Sequence, residues 1–270
     1  MTEIDELADI AIETARAAAV LVRDRATRTV LVAATKSTDV DVVTEADRAS
    51  EELIRDLIGR ARPHDAFLGE EGDDVTGTSG VRWVVDPIDG TVNFLYGLPQ
   101  YAVSIAAEVD GEVVAGIVLD VASGTEYVAR PGPDGVVALR DGQPIAVRGP
   151  APMSHRLIGT GFSYGAEKRR IQGQAVARLL PHVRDIRRLG SCALDLCLVA
   201  EGRLDGYLEE GVNLWDHAAG GLIARAAGAR TEELPGAAGS SLLICAPGHG
   251  FDELRAAAVV AGFALENPPK

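Results

Sequence analysis

The sequence predicts a mixed α/β protein with an α+β first half and an α/β second half. Two helical segments come first, and short β-branched runs with a period of two follow between residues 82 and 147. After Pro150 candidate strands and helices alternate, which is typical of a second layer of strands and helices. We therefore expect one unit, 1–270, with subdomains 1–150 and 151–270, the first built on a mostly antiparallel sheet.

Two helices are predicted near the N-terminus. The first runs from Thr2 to about Arg25, and its apolar face is marked by Ile4, Leu7, Ala11 and Ala15. The second runs from about Glu45 to Ile58, and we expect Gly59 and the region of Pro63 to end it.

Strands and turns of the first sheet follow from alternation and from turn residues. The candidate strands are Trp83–Val85, Ala102–Val109, Val113–Val121 and Thr125–Arg130. Asp110-Gly111 and Asp141-Gly142 are typical of two-residue hairpin turns, so neighbouring strands should pair antiparallel.

The second half alternates between the two kinds of element. Its candidate strands are Leu157–Thr160, Gly206–Glu209, Ala229–Glu233 and Leu242–Ala246. Its candidate helices are Ile171–Leu180, Ala193–Ala200, Asp216–Ala227 and Phe251–Ala261.

Composition and charge exclude several classes of protein. No apolar run reaches the roughly 18 residues of a membrane span, and the first 25 residues are too rich in charge for a signal peptide. A net charge of −14 disfavours nucleic acid and anionic lipid as partners. Cys192, Cys197 and Cys245 form no C-x-x-C pair, so we expect free thiols and a cytoplasmic protein.

The most informative stretch runs from Val84 to Thr91. An apolar strand leads into Asp86 and Asp89, and because Pro87 lacks an N–H and restricts φ, we expect the strand to stop there. Gly90 permits a close backbone approach, and Thr91 can begin a helix or turn whose free N–H groups suit a phosphate beside hard cations. The alternative is an ordinary Asx turn or N-cap pair at a strand end.

Three further acidic clusters add to this one. Glu70 follows the short apolar run Ala66–Leu68 and so lies at another strand end. Asp216 stands at the start of an Ala- and Gly-rich helix, where taken alone it is more typical of an N-cap than of a ligand. Asp47 opens the second helix, where Thr44 and Asp47 also form a capping-box pattern.

Four motifs can now be set out in chain order. They are Lys36, Asp41, Thr44 and Asp47, then Gly69-Glu70-Glu71, then Asp86-Pro87-Ile88-Asp89-Gly90-Thr91 with Asn93-Phe94, and finally Trp215-Asp216 with Ala218-Ala219-Gly220. Taken together, these motifs resemble those of the inositol monophosphatase family in order and spacing, from Lys36 to about Ala246. The resemblance implies a layered αβαβα sandwich of the inositol monophosphatase and fructose-1,6-bisphosphatase type, metal-dependent hydrolysis and a homodimer.

Residue roles are implied motif by motif. Glu70, Asp86 and the carbonyl of Ile88 would hold one Mg²⁺; Asp86, Asp89 and Asp216 would hold a second, and a weaker third ion would lean on Glu70. The expected catalytic set is Thr91, Asp47 and Glu70, with Thr91 hydrogen-bonded to Asp47 and orienting or deprotonating the attacking water. The expected substrate contacts are Asp89, Gly90, Thr91, Cys192, Glu209 and Asp216, with the N–H groups of Gly90 and Thr91 on the phosphate and Glu209 on substrate hydroxyls.

Elementary electrostatics agrees with a metal-dependent reaction. Four converging carboxylates would repel a phosphate dianion unless two or three divalent cations inverted the local field. Oxygen donors without His or Cys favour Mg²⁺ over Zn²⁺. The sequence has no H-E-x-x-H or P-loop motif that would offer another chemistry.

Two positions depart from the family pattern. Asp39 stands where the family often has Pro, in a loop that can cover the metal site, and could alter the inhibition by Li⁺ that the resemblance implies. Cys192 stands at a position that is usually Ala and faces the substrate, although a small buried thiol is the alternative.

Inositol 1-phosphate is the first substrate that we expect. Histidinol phosphate, fructose 1,6-bisphosphate and 3′-phosphoadenosine 5′-phosphate are alternatives, and a bisphosphate would need an added basic pocket. The runs 168–170 and 187–188 could supply one, although a solvated face is the commoner use of such runs. Some bacterial relatives also bind the transcription machinery, so a regulatory interaction is a third hypothesis.

Overall fold

The computed structural model describes residues 2–27, 32–35, 42–133 and 135–265. Its helices are α1 (Glu3–Ala26), α2 (Glu45–Ala61), α3 (Thr91–Tyr96), α4 (Ala166–Leu179), α5 (Cys192–Ala200), α6 (Leu214–Ala226) and α7 (Phe251–Ala261). Its strands are β1 (Val32–Thr35), β2 (Val42–Thr44), β3 (Ala66–Gly69), β4 (Val81–Asp89), β5 (Ala102–Val109), β6 (Glu112–Asp120), β7 (Glu126–Gly132), β8 (Gly135–Arg140), β9 (Gln143–Pro144), β10 (Leu157–Thr160), β11 (Asp185–Arg187), β12 (Gly206–Glu210), β13 (Ala229–Pro235) and β14 (Ser241–Pro247).

The two N-terminal helices begin as their sequences predict. Thr2 caps α1 and Thr44 caps α2, each in a capping box with the Asp three residues later. The prediction that Gly59 ends α2 is wrong, because the helix continues to Ala61. A Cβ built at Gly59 meets no atom within 4 Å, so this glycine lies on an open helix face where it costs little more than helix propensity. The helix ends before Pro63, since a residue that precedes proline disfavours the α conformation.

The first sheet has seven strands in the order β3-β4-β5-β6-β7-β8-β9. Every described pair is antiparallel except β3–β4, so the prediction of a mostly antiparallel sheet is confirmed. Both predicted hairpin turns are present: φ is 51° at Asp110 and 87° at Gly111, and 49° at Asp141 and 75° at Gly142. These values are typical of a type I′ turn.

Strand β4 corrects one prediction, because it passes through Pro87 and ends only at Asp89. The pairing with β5 shifts by one residue between Asp86–Ser104 and Asp89–Ala102. This bulge places Pro87, which has no N–H to offer, where the ladder is already interrupted.

The second sheet has the order β11-β10-β12-β14-β13. Its strands β11, β10 and β12 are parallel, whereas β12, β14 and β13 are antiparallel. The predicted strands and helices of this half are all present, with shifted ends for several. The short strand β11 was not predicted. In the first sheet, β8 and β9 were predicted only through the Asp141-Gly142 turn that joins them.

Three apolar cores separate five layers. The first core lies between α1, α2 and one face of the first sheet, and the second joins the other face to α5, α6 and the second sheet. The third lies between the second sheet and helices α4 and α7. The order is therefore αβαβα, which confirms the predicted sandwich. Among the described residues, no helix combines the length and apolar character that a membrane crossing requires.

Candidate active site

One cavity of about 840 Å³ collects nearly all of the predicted site residues. Those that line it are Glu70, Asp86, Ile88, Asp89, Gly90, Thr91, Cys192, Glu209 and Asp216. Asp47 does not line it, because this side chain lies behind Thr91. The cavity is therefore built from both sheets and from the helices between them.

Strands β3 and β4 bring the first carboxylates together. They run parallel, with Gly69 paired to Val85, so Glu70, which follows the end of β3, lies beside Asp86 in β4. Burial and the neighbouring Glu70 raise the pKa of Asp86. The N–H of Ile88 donates to Asp86 Oδ1 at 3.0 Å. Two neighbouring carboxylates repel each other unless they share a proton or have a cation nearby.

Thr91 and Asp47 form the predicted pair. The Thr91 hydroxyl lies 3.0 Å from Asp47 Oδ1 and 3.1 Å from the carbonyl of Ile88. The other Asp47 oxygen accepts the Thr44 N–H at 2.8 Å and the Thr44 hydroxyl. Asp47 therefore completes the cap of α2 and holds Thr91, so the structural and functional interpretations of this motif are both consistent with the geometry.

Gly90 starts the turn into α3. Its φ of +95° is in the left-handed region, which only glycine adopts readily. A Cβ there would lie 2.8 Å from the Gln100 carbonyl oxygen. The first N–H groups of a helix have no intrahelical acceptor, and Gly90 and Thr91 line the cavity at this helix start.

Asp216 is not the N-cap of α6, which corrects that alternative. The helix begins at Leu214 after the N-cap Asn213, and Asp216 is its third residue. Asp216 Oδ2 accepts the Asn213 N–H at 2.5 Å. Asp216 thus closes a capping box and lines the cavity with the same side chain.

Asp89 joins the first sheet to α5. Its carboxylate accepts the Ser191 hydroxyl at 2.5 Å and the N–H of Ala193 at 2.7 Å. The N–H of Cys192 lies 3.3 Å away. The positive end of the helix dipole stabilises a carboxylate at this position, and the sequence analysis did not anticipate this contact.

Glu209 projects from β12 on the far side of the cavity. The Tyr207 hydroxyl donates to Glu209 Oε2 at 2.5 Å. A Cβ at Gly161 would lie 1.9 Å from the same oxygen, so only glycine leaves room for this carboxylate. Cys192 is buried at the edge of the cavity, with 6% of its surface exposed. It fits both descriptions, a small buried thiol and a cavity residue.

The electrostatics of the cavity oppose four simultaneous negative charges. Burial and the neighbouring Glu70, Asp89 and Asp216 raise the pKa of Asp86 well above its ordinary value. Burial raises the pKa of Asp89 to about 7, against the lowering effect of its hydrogen bonds from Ser191 and Ala193. Loss of hydration is also the main cause of the raised pKa of Asp216. Simultaneous ionisation of these carboxyl groups is therefore unfavourable unless a cation compensates their charge.

The cavity contains several carboxylate groups, but their oxygens are not arranged around a common metal position. Among residues 2–27, 32–35, 42–133 and 135–265, no three His, Cys, Asp or Glu side chains surround one common metal position. Several oxygens instead accept hydrogen bonds from the backbone, as Asp86 does from Ile88 and Asp89 does from Ala193. A cation would have to compete with these hydrogen bonds.

Two basic side chains also line the cavity, Lys168 from α4 and Arg188 after β11. Lys168 Nζ donates to Ser240 Oγ at 2.7 Å. Burial raises the pKa of Glu209, and the positive charge of Arg188 acts in the opposite direction. Both side chains are also exposed to solvent. They therefore fit both interpretations given above, a solvated face and a basic pocket. Phe162, Ser163 and Tyr164 line the same wall. They are the centre of the G-x-S-x-G pattern Gly161–Gly165, which the sequence analysis did not single out.

Lys36, Asp39 and Asp41 lie outside the described residues. The parts of the resemblance that rest on them, and the possible effect of Asp39 on cation binding, stay predictions.

Comparisons with known proteins find relatives of this chain both in sequence and in structure. The model of the inositol monophosphatase family matches residues 3–262. Inositol-1-monophosphatase SuhB of Mycobacterium tuberculosis is 50% identical over 230 residues, which cover 82% of this chain and 79% of the relative. Nus factor SuhB of Pasteurella multocida is 38% identical over 228 residues, 83% of this chain and 84% of the relative. A solved structure of Mycobacterium tuberculosis SuhB, 41% identical, superposes with a TM-score of 0.80 over 97% of this chain and 99% of that chain.

Proposed function

The chain belongs to the inositol monophosphatase family, and from this premise we propose that it hydrolyses inositol 1-phosphate to myo-inositol and phosphate with Mg²⁺ as cofactor. That it is a phosphatase follows from the family and from relatives named for the activity. The observation that carries the finer proposal is the convergence of four carboxylates on one cavity beside Thr91.

The donor set fits a hard divalent cation. Glu70, Asp86, Asp89 and Asp216 supply only oxygen, and the raised pKa values of three of them show that an uncompensated charge is unfavourable here. Oxygen donors without thiol or imidazole favour Mg²⁺. We assign Glu70, Asp86 and the Ile88 carbonyl to one ion, and Asp86, Asp89 and Asp216 to a second. Bound Mg²⁺ would neutralise phosphoryl oxygens and lower the pKa of a coordinated water.

Thr91 and Asp47 would orient the attacking water. The Thr91 hydroxyl donates its hydrogen to Asp47, which leaves the Thr91 oxygen free to accept a hydrogen from water. Burial raises the pKa of Asp47, with its Thr44 and Thr91 hydrogen bonds acting in the opposite direction. Asp47 is therefore a better proton acceptor than an exposed aspartate, as an orienting base requires.

Gly90 and Thr91 would bind the phosphate through their N–H groups. They lie at the start of α3, where a negative group is favoured by free N–H donors. Glu209 would bind the alcohol portion on the opposite wall. Its carboxylate is held by Tyr207 and accepts hydroxyl hydrogen bonds of the kind that a polyol offers.

A bisphosphate substrate is supported by Lys168 and Arg188, because both line the cavity and carry a positive charge toward a second anionic group. Fructose 1,6-bisphosphate and 3′-phosphoadenosine 5′-phosphate belong to this class, whereas histidinol phosphate would need only the metal-binding half of the site.

Assembly, location and inhibition are further proposals. We propose a homodimer inhibited by Li⁺, as the family resemblance implies, in which Li⁺ would take a Mg²⁺ position. Cys192, Cys197 and Cys245 are free and buried, which supports a reducing compartment, the cytoplasm. The similarity to the Pasteurella Nus factor supports a second role in contact with the transcription machinery. Capture of RNA polymerase components from a lysate, by wild type and by Asp86→Asn alike, would establish it.

The test of the proposed function is phosphate release from a panel of monoesters. We expect the highest kcat/KM for inositol 1-phosphate, loss of activity in EDTA and recovery on addition of Mg²⁺. A higher kcat/KM for one of the alternative substrates would reassign the substrate. Full activity in the chelated enzyme would refute the metal assignment.

A further inference from the structure

A buried carboxylate outside the predicted site lies directly behind the turn that carries Glu70. Glu51 is on α2, one helical turn after Asp47, and only 3% of its surface is exposed. Its Oε2 accepts the N–H of Glu71 at 2.7 Å, and its Oε1 accepts the N–H of Gly72 at 2.9 Å. Both N–H groups follow Glu70 in the chain, so one side chain of α2 binds the backbone of the turn.

Arg55 extends this contact along the same helix. Its guanidinium pairs with Glu51 Oε1 at 2.9 Å and donates to the carbonyl of Asp73 at 3.0 Å. It also lies 4.2 Å from the ring centre of Phe67, in the strand before the turn. A buried carboxylate is costly without a partner, and Arg55 supplies the opposite charge. Glu51 and Arg55 therefore both hydrogen-bond to the backbone of residues 71–73.

Two glycines show how closely the carboxylate packs against the turn. A Cβ at Gly69 would lie 2.5 Å from Glu51 Cδ, and a Cβ at Gly72 would lie 2.8 Å from Glu51 Oε1. Neither residue has a positive φ, so it is the approach of Glu51, and not the backbone conformation, that requires glycine at these positions.

We propose that Glu51 is a positioning residue for the metal site, and that its carboxylate fixes the turn 69–72 so that Glu70 is presented to Asp86. The inference rests on the proposed function, because it assumes that Glu70 is a metal ligand. The N–H of Glu71 belongs to the same peptide group as the Glu70 carbonyl, so holding it restricts the backbone that directs the Glu70 side chain. Outer partners of this kind typically change metal affinity about 10–100-fold when they are removed.

Glu51→Gln is the direct test, with Glu52→Gln as its matched control. Glu52 is the next residue on the same helix and is exposed, so the control makes the same chemical change away from the turn. Mg²⁺ binding to the metal-free full-length protein is measured by titration calorimetry, and the Mg²⁺ activation of turnover is measured in parallel. We expect Glu51→Gln to weaken Mg²⁺ binding about tenfold or more, with kcat largely restored at saturating Mg²⁺ and Glu52→Gln unchanged.

A second variant keeps every charge and changes only the packing between Glu51 and the turn. Gly69→Ala should push the Glu51 carboxylate away from the turn and so weaken Mg²⁺ binding in the same direction. Amide hydrogen exchange gives a readout that does not involve Mg²⁺: the N–H groups of Glu71 and Gly72 should exchange faster in Glu51→Gln than in Glu52→Gln.

The outcomes separate the two proposals. If wild type binds Mg²⁺ and folded Glu51→Gln binds it equally well, the positioning role is wrong and the proposed function stands. A melting temperature that falls with no change in Mg²⁺ affinity would likewise reduce Glu51 to a purely structural residue. If wild type itself binds no Mg²⁺, the metal assignment fails and this inference fails with it.

Discussion

At the scale of single residues, loss of hydration dominates the chemistry of the acidic side chains in the cavity. Asp89 illustrates the balance. Its three hydrogen-bond donors at the start of α5 favour the ionised form, yet burial raises its pKa from the ordinary 3.8 to about 7. In the metal-free site, ionisation of these carboxyl groups is therefore unfavourable, and a bound divalent cation would stabilise their charged forms.

The raised pKa of Asp89 predicts that the free energy of unfolding depends on pH. An aspartate whose folded pKa is raised stabilises the protein fully below its unfolded pKa and loses that contribution as the pH rises toward its folded pKa. In EDTA, the Tm of wild type should therefore fall relative to Asp89→Asn, which cannot titrate, between about pH 4 and pH 7. Mg²⁺ should raise the Tm of wild type more at pH 8 than at pH 5. Differential scanning calorimetry measures both.

The control is the same series on Asp185→Asn, because Asp185 is an exposed aspartate with a pKa below its ordinary value and therefore an effect of opposite sign. A Tm difference between wild type and Asp89→Asn that stays constant over this pH range would contradict the assignment of the raised pKa to Asp89.

Thr91 carries the second prediction at this scale. Thr91→Ala removes the hydroxyl that lies 3.0 Å from Asp47 and should lower kcat by about 10²-fold or more with little change in KM. Thr91→Ser keeps the hydroxyl and is the matched control. Asp47→Asn is less informative, since it also disturbs a helix cap worth about 1 kcal/mol. A Thr91→Ala enzyme with nearly normal kcat would show that the metal ions activate the water unaided.

At the scale of secondary-structure elements, glycines at the ends of strands allow carboxylates of neighbouring strands to pack closely against the backbone. Gly161 follows β10 and faces Glu209 on β12, the neighbouring parallel strand. Gly236 faces Glu210, whose carboxylate accepts the N–H groups of Ala238 at 3.0 Å and Ser240 at 2.9 Å. Each glycine allows a carboxylate to occupy the space of a side chain.

Gly161→Ala tests this packing together with the role of Glu209. The new Cβ would displace the Glu209 carboxylate, so the variant should resemble Glu209→Gln. A hydrogen bond to a charged group contributes about 1.5–3 kcal/mol, so both variants should lose about tenfold to a hundredfold in kcat/KM for a polyol phosphate. They should lose far less with p-nitrophenyl phosphate, which has no hydroxyls to bind.

Gly173→Ala is the control for this substitution, because a Cβ at Gly173 meets nothing within 4 Å. Equal losses on both substrates would mean that Glu209 acts on the metal or on the fold, and would remove the main support for a polyol substrate.

At the scale of the whole molecule, the middle layer connects the two sheets. Helices α5 and α6 pack on the first sheet and on the second within one apolar core. The contact is close, since a Cβ at Gly116 in β6 would lie 3.1 Å from Ala219 in α6. The subdomains 1–150 and 151–270 therefore meet in a common apolar core, and we propose that they fold as one unit.

Equilibrium unfolding provides the test. Trp83 is fully buried in the first core, and Trp215 lies on α6 against the second. Tryptophan fluorescence and far-ultraviolet circular dichroism should report one coincident transition in urea. The variants Trp83→Phe and Trp215→Phe separate the two signals. Two resolved midpoints would show that the subdomains unfold independently.

Local sequence patterns determined the parts of this protein that depend on near neighbours along the chain. The capping box of Thr44 and Asp47 and the two Asp-Gly hairpin turns are examples, because their contacts span three residues or fewer. The acidic motifs at the strand ends also identified the cavity and the family, since each motif is contiguous.

Only the tertiary structure decided which distant residues complete the site. The hydrogen bond from Glu71 to Glu51 joins residues 20 positions apart in the chain. The bond from Ala193 in α5 to Asp89 joins residues about 100 positions apart. Pro87 remains within β4 because β5 tolerates a bulge there, and Gly59 remains within α2 because that helix face is open. Such contacts follow from strand register and layer packing, which bring together positions whose separation along the chain carries no local signal.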